Sequence, residues 1–278
     1  MTSARKLVVD AAKAAVANDL AGEAAKMAFY FSLAVFPLVV TVFTVTGILG
    51  GDDAFSTLMQ AAQRLMPPDA WPVVRQLVAE ITERDRPGLL SFSVLLTTWA
   101  ASNGIAALTE GLNKIYKISE PRSWWRRRLI AFAVLLIGVI LILVGTIIVV
   151  PAGSLLELMG VGQVWSVARW PIGFALVTAA IWLAFQYLPA RDQRAAKRET
   201  LAGAVVATLL WMAAALGFRV YLEQFASYGA TYGTLGSVIV LLLWFWLDAL
   251  VVLVGAQLAA AIERGRVSPA EMRARADA

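Results

Sequence analysis

The sequence predicts an all-α polytopic membrane protein: a bundle of six transmembrane helices with both termini cytoplasmic. Three observations predict it. Apolar residues make up 60% of the 278-residue chain and charged residues 15%, whereas soluble domains are nearer half apolar and a quarter charged. Mean hydropathy is +0.72, and a water-soluble fold this apolar has too little polar surface to cover itself. The charges are also clustered. Between the clusters run uncharged stretches of about 20 residues, the length a helix needs to cross roughly 30 Å of hydrocarbon.

The spans are read in order as Met27–Gly51, Gly88–Thr109, Leu129–Pro151, Trp170–Ala190, Thr200–Leu222 and Leu235–Ile262. The uncharged part of the fifth ends at Phe218, and the sixth holds one charge, Asp248. None alternates in polarity with the two-residue period of a barrel strand, so all are helices. Met27–Gly51 is too long for the apolar core of a secretory signal and follows a polar, amphipathic segment, so it is a first span rather than a leader.

The connections have patterns of their own. Residues 1–26 form an Ala-rich amphipathic N-terminal segment, helical over 3–25, with charges at Arg5, Lys6, Lys13, Asp19 and Glu23. This predicts a cytoplasmic surface helix. Between spans one and two, Phe55, Leu58, Met59, Ala62, Leu65 and Met66 share one helical face, and Pro67 and Pro68 end it. Trp71, Val74, Leu77, Val78 and Ile81 form a second face. The expected structure is an outer amphipathic helix pair, acting as a structural cap or a moving lid. Before span six, Ala226–Gly236 carries Tyr228, Tyr232, Gly229 and Gly233 with no charge. It reads as a packed outer loop tucked into the bundle. Residues 263–278 are a charged cytoplasmic tail.

Cations set the orientation. Of the 24 Lys and Arg residues, 18 fall in the N-terminal segment, Leu112–Arg128, Arg191–Arg198 and the tail. Five fall in the alternate connections and Arg219 lies near a helix end. The excess marks the cytoplasmic side of a bacterial inner membrane. Trp124, Trp125, Arg126, Arg127 and Arg128 read as an anchor at that interface, with stems that snorkel toward the headgroups.

Three stretches together resemble one family. They are Ala24–Gly51 with Phe29, Tyr30, Phe36 and Pro37; Trp99–Arg128 with its basic exit; and Phe225–Ala260 with its Tyr/Gly-rich approach. This combination is similar to the YihY/BrkB family of six-helix bacterial inner-membrane proteins, once labelled ribonuclease BN. The resemblance covers about residues 5–265 and implies the six-span topology. It implies little chemistry. The nuclease label is regarded as a misassignment, and transport has been suggested for the family.

The residues themselves exclude much chemistry. With no Cys and no His, there is no thiolate, no disulfide and no imidazole base or metal ligand. The cytoplasmic carboxylates Asp10, Asp19, Glu23, Glu120, Asp192 and Glu199 are scattered in sequence. No Gly-rich phosphate loop or nucleophile elbow is present. No catalytic residue, metal, cofactor or nucleic-acid partner is therefore expected. The expected partners are the lipid bilayer, an unidentified ion or small solute, and a second copy of the chain through faces such as Gly138 and Gly145.

What remains is polar residues inside spans. Asp248 lies near the middle of span six, where a carboxylate is expensive unless paired, hydrated or protonated. It is an ion or proton site, or a structural hydrogen bond within the bundle. Ser237, Trp244, Gly255 and Ala259 share its helical face, and the small residues suit close helix contact. Asn103, Thr208 and Thr178 complete a polar midplane set that serves a pathway or glues helices. Pro37 interrupts span one, giving a kink at a pathway or a packing bend. Glu110 and Lys114 are spaced for an i,i+4 pair, as are Arg219 and Glu223 in reverse order. Arg219 lies too far along its span to reach Asp248 without a strong tilt. Three functions follow: transport or permeation, a structural envelope role, and, least favoured, a membrane ribonuclease.

The orientation has a direct test in a chain without native Cys. A Cys introduced at Ser3 or Ser268 should resist membrane-impermeant thiol reagents in intact cells, and one at Ser56 should react. The opposite labelling pattern would invert the topology.

Overall fold

The computed structural model describes residues 2–35, 37–38, 56, 59–60, 87–138, 140–141, 162–190, 197–225 and 229–266. Seven helices lie within them: α1 (Thr2–Ala17), α2 (20–35), α3 (Pro87–Tyr116), α4 (124–138), α5 (Gly162–Tyr187), α6 (Lys197–Phe225) and α7 (Gly229–Arg266). The described residues contain no strand. Among the described residues, four helical stretches are long and apolar enough to cross a bilayer: Ser91–Tyr116, Val167–Tyr187, Lys197–Leu222 and Val238–Gly265. They correspond to the second, fourth, fifth and sixth predicted spans. Most of span one beyond Leu38, the end of span three, most of the outer helix pair, and the tail beyond Arg266 lie outside the described residues.

Two expectations are corrected. The single helix expected over 3–25 is two helices. Asp19 takes a left-handed backbone with φ 51°. Its carboxylate then accepts from Gly22 N at 3.2 Å, capping α2 while α1 closes with Asn18 N donating to Ala14 O. Asp tolerates this conformation because its short side chain bonds the local backbone. The loop expected over Ala226–Gly236 is helical from Gly229 onward. In a bilayer an internally hydrogen-bonded helix spares the backbone groups that a loop would leave bare, and this outweighs the glycines' preference for turns.

The described helices belong to two compact units. One comprises Met1–Ala25, Ile105–Leu216 and Leu247–Ala278; the other comprises Lys26–Gly104 and Gly217–Trp246.

The first unit is built around an antiparallel crossing of α6 and α7. Gly203 and Ala207 of α6 face Ala259 and Gly255 of α7. A Cβ added at Gly203 would sit 2.6 Å from Gly255 O and 2.6 Å from Ala259 Cβ. One added at Gly255 would sit 2.7 Å from Gly203 O. Each helix therefore carries a small residue, three others, then a small residue, and the two backbones meet directly. Lipid tails are as apolar as the side chains, so this close packing rather than exclusion of water holds the helices together. Ala204, Ala207, Leu253, Ala256 and Ala259 are buried around the crossing, with Phe185 and Leu188 of α5 and its exit. Leu112 and Ile115 of α3 and Leu20 and Ala24 of α2 complete this core.

The second unit is aromatic. Gly104 leaves room for Phe31, whose ring would lie 2.6 Å from an added Cβ. Phe31 meets Phe245 at 6.2 Å, Tyr30 meets Trp99 edge-on at 6.4 Å, and Phe218 meets Trp244 at 4.9 Å between ring centroids. Each unit has hydroxyls satisfied within their own helix. Ser32 donates to Ala28 O, Thr109 to Ile105 O and Ser102 to Trp99 O.

The crossing predicts a position-specific cost. Gly255→Ala should destabilise the protein by about 1–3 kcal/mol, since the obstructing atoms belong to backbone or Cβ and cannot swing away. Gly173→Ala, where an added Cβ meets nothing within 4 Å, should be neutral or slightly stabilising. Thermal unfolding in one detergent compares the two directly.

Candidate functional site

Three helices of the first unit bring polar side chains together inside the bundle. Asp248 lies near the middle of α7, seven residues before Gly255 on the seam that meets α6. Across that seam Trp211, eight residues after Gly203, donates its indole N–H to Asp248 Oδ1 at 2.9 Å. Three residues before Trp211 on α6, Thr208 accepts a hydrogen bond from Thr178 of α5 at 3.0 Å and donates its own proton to Ala204 O at 2.9 Å. Both threonines are buried, whereas Asp248 is half-buried. The arrangement follows from the close crossing: with small side chains at 203, 207, 255 and 259, the helices are near enough for an indole to span to a short carboxylate. An indole N–H is a donor only and carries no charge. It orients the carboxylate without cancelling a negative charge. Asp248 has no cationic partner among the described residues.

Of the other predicted site residues, Asn103 is half-buried in α3 and Pro37 is buried, and both belong to the second unit. Residue 36, at the expected kink before Pro37, lies outside the described residues. Lys114 reaches Glu23 of α2 at 3.3 Å, and Glu110 faces Arg127 of α4 at 3.8 Å. Both side chains thus form ion pairs with other helices. Arg219 is exposed in the second unit, and the side chain of Glu223 lies outside the described ones.

Trp124 and Trp125 are exposed and stack edge to face at 4.5 Å, and the Arg128 guanidinium lies 5.8 Å from the Trp124 ring centre. A second pair of this kind, Arg169 over Trp170 at 5.9 Å, stands toward the start of α5. The two belts have a meaningful spacing. Arg122, just before Trp124, donates to Leu188 O at the exit of α5. From Trp170 to Leu188 the helix rises about 27 Å at 1.5 Å per residue, close to the thickness of a bilayer's hydrocarbon core. Aromatic and arginine side chains thus stand near both ends of one candidate span.

The sequence reading missed one polar assembly altogether. Glu120 is gripped by Arg122 through Nε at 2.7 Å, Nη2 at 2.8 Å and the backbone N at 3.1 Å, and it also accepts from Asn113 Nδ2 at 2.7 Å. Asn113 Oδ1 in turn accepts from Ala190 N. The end of α3, its following loop and the exit of α5 are thereby clamped together. Lys117, with φ 56°, closes α3 in a left-handed turn in which Ile118 N donates to Asn113 O. The Arg122 hydrogen bonds hold the Glu120 carboxyl well below its usual range, at about 2, against the opposing effect of burial. The detectable signal was the Glu-Pro-Arg run, in which a proline turn lets residues two apart chelate each other. Further toward this end of the unit, Asn18 Nδ2 donates to Gln257 Oε1 and Arg264 to Ile115 O, docking the α1–α2 joint and the end of α7.

The fold and this polar seam define an all-α integral-membrane protein. Residues 11–278 match the family described as Virulence factor BrkB, and the chain belongs to that family. It is 30% identical over 259 residues to YfkH of Bacillus subtilis, whose name describes it as ribonuclease-like; the alignment covers 90% of this chain and 92% of that one. It is 32% identical over 164 residues to a UPF0761 membrane protein of Nitrosospira multiformis, covering 57% of this chain and 37% of the relative. A UPF0761 membrane protein of Xanthomonas oryzae is 27% identical over 259 residues, 90% of this chain and 59% of the relative. The chain thus spans nearly all of YfkH but less than two thirds of these UPF0761 relatives. No solved structure matches it.

The clamp gives a pH prediction. Glu120 has a lower proton affinity folded than unfolded, so its stabilising effect is fully present above about pH 4.5 and is lost as pH falls toward about 2. Wild type should melt above Glu120→Gln at pH 5–7, and the gap should close below pH 4.5. A gap that is constant down to the acid limit would remove the clamp's ionic character.

Proposed function

We propose that the chain is a permeation protein of the bacterial inner membrane, moving an ion or small solute, with both termini cytoplasmic and Asp248 as its ion-responsive group. One observation carries this reading: a carboxylate at the middle of the most apolar candidate span whose hydrogen-bond partner is a neutral indole. In hydrocarbon such a group requires a proton or a cation. A purely structural carboxylate would more naturally be matched by Arg or Lys from a neighbouring helix. Asp248 is half-buried, so the group is not sealed into its contact. Thr178 and Thr208 extend the polar path across α5 and α6.

A second reading, a structural membrane protein without transport, draws on the same threonine pair, because a buried hydroxyl pair between helices is a common form of glue. We place enzyme function last. The name of YfkH points to nuclease chemistry for that protein, but this chain has neither His nor Cys. Among the described residues no three carboxylates cluster to hold a metal.

Flux measured from proteoliposomes, screened over protons, monovalent cations and small anions, separates the readings. Asp248→Asn should keep the melting temperature and lose pH- or ion-dependent flux. Asp248→Leu should lose flux and also destabilise by roughly 1–3 kcal/mol, since the Trp211 N–H is left without an acceptor. Undiminished flux in both variants would remove Asp248 from the mechanism. Absence of flux in wild type across the screen would favour the structural reading.

A further inference from the structure

We propose that the start of α4 is a binding surface for the headgroup of anionic phospholipids, with Arg126 as its main cation. Three features on the same surface point to this partner. First, α4 is a peripheral helix: Leu129, Phe132, Leu136 and Ile137 are all exposed, although each is large and apolar. In an integral-membrane protein such a face meets acyl chains. The exposed indoles of Trp124 and Trp125 lie directly before it, where the acyl region gives way to headgroups.

Second, the neighbouring arginines are differently engaged. Arg122 is committed to Glu120 and to Leu188 O, and Arg127 faces Glu110 at 3.8 Å. Arg128 lies over the Trp124 ring. Arg126 is exposed and takes part in no ion pair among the described residues. A topological signal would be served by any of these charges, whereas a headgroup site needs one that is still available beside the membrane.

Third, the charge complementarity is local. An exposed guanidinium presents several N–H donors in a planar fork that suits phosphate. Directly after the two exposed indoles, it meets the phosphodiester of a lipid rather than a soluble anion, because the adjoining surface is apolar. The surface is separate from the Asp248 seam, and this inference does not rest on the proposed permeation role.

Native mass spectrometry of the full chain, titrated in neutral detergent with phosphatidylglycerol or phosphatidylcholine of matched acyl chains, tests the proposal. Wild type should prefer phosphatidylglycerol, and the preference should weaken with salt. Arg126→Gln should lower phosphatidylglycerol affinity about fivefold, the scale of one cation at an anionic surface, and leave phosphatidylcholine unchanged. Arg126→Lys should retain most of the preference. Glu110→Gln should strengthen it, because Arg127 loses its counter-charge. Equal binding of the two lipids, or a preference unaltered in Arg126→Gln, would overturn the proposal. So would saturable binding of a single-stranded RNA oligonucleotide that Arg126→Gln abolishes, since that would assign the surface to nucleic acid.

Discussion

Backbone contact between α6 and α7 at Gly203 and Gly255 is the constraint on which the first unit depends. In water, two helices can be driven together by burying apolar area. In a bilayer that drive disappears, and close fit must replace it. The glycines supply the fit by removing the side chains that would keep the helix axes apart. Everything polar on this seam follows from the short separation. Trp211 reaches Asp248 because the helices converge at 203–259 and 207–255, and Thr208 is held beside it on the same helix. A larger residue at either glycine would widen the seam and separate the indole from the carboxylate before any chemistry changed.

The polar groups sort into two environments with different physics. At the end of the first unit near Glu120, charges are paired and chelated: Glu120 with Arg122, Glu23 with Lys114, Glu110 with Arg127. There water and headgroups share the solvation, and ion pairs need only modest geometry. Within the helices, Thr178 of α5 and Thr208 of α6 pair as neutral groups, whereas Asp248 of α7 is a carboxylate that meets a neutral indole. That contrast, rather than the presence of polar residues in spans, distinguishes Asp248 from the threonines around it.

Candidate residues were legible in proportion to how local their signal was. Asp248 stood out because one charge in an apolar run is visible in one dimension. Its face with Gly255 and Ala259 was visible from helical periodicity alone. Trp211 was not, because tryptophans are common in this chain and nothing in α6 by itself says which residue an aspartate on α7 will meet. The matching stripe of Gly203 and Ala207 was present and carried the missing information, since two small-residue stripes of the same spacing suit one another. The Glu120 clamp was hidden differently. Its acid and base were counted among scattered charges, although Pro121 between them is what allows a chelating turn.

What the sequence determined by itself was the class of protein and the positions of its long apolar helices. Hydrocarbon thickness and helical rise turn a run of apolar residues into a span without reference to any neighbour. It also marked the cluster of Trp124, Trp125 and Arg126–Arg128 as a local run. Only the tertiary structure decided which residues meet: Trp211 with Asp248, Thr178 with Thr208, Lys114 with Glu23, and Arg122 with the end of α5. It also decided the break at Asn18–Asp19 and the helical state of Gly229–Gly236. These depend on distances between segments far apart in the chain, or on a bilayer's demand that each backbone group be satisfied, and neither is written in local pattern.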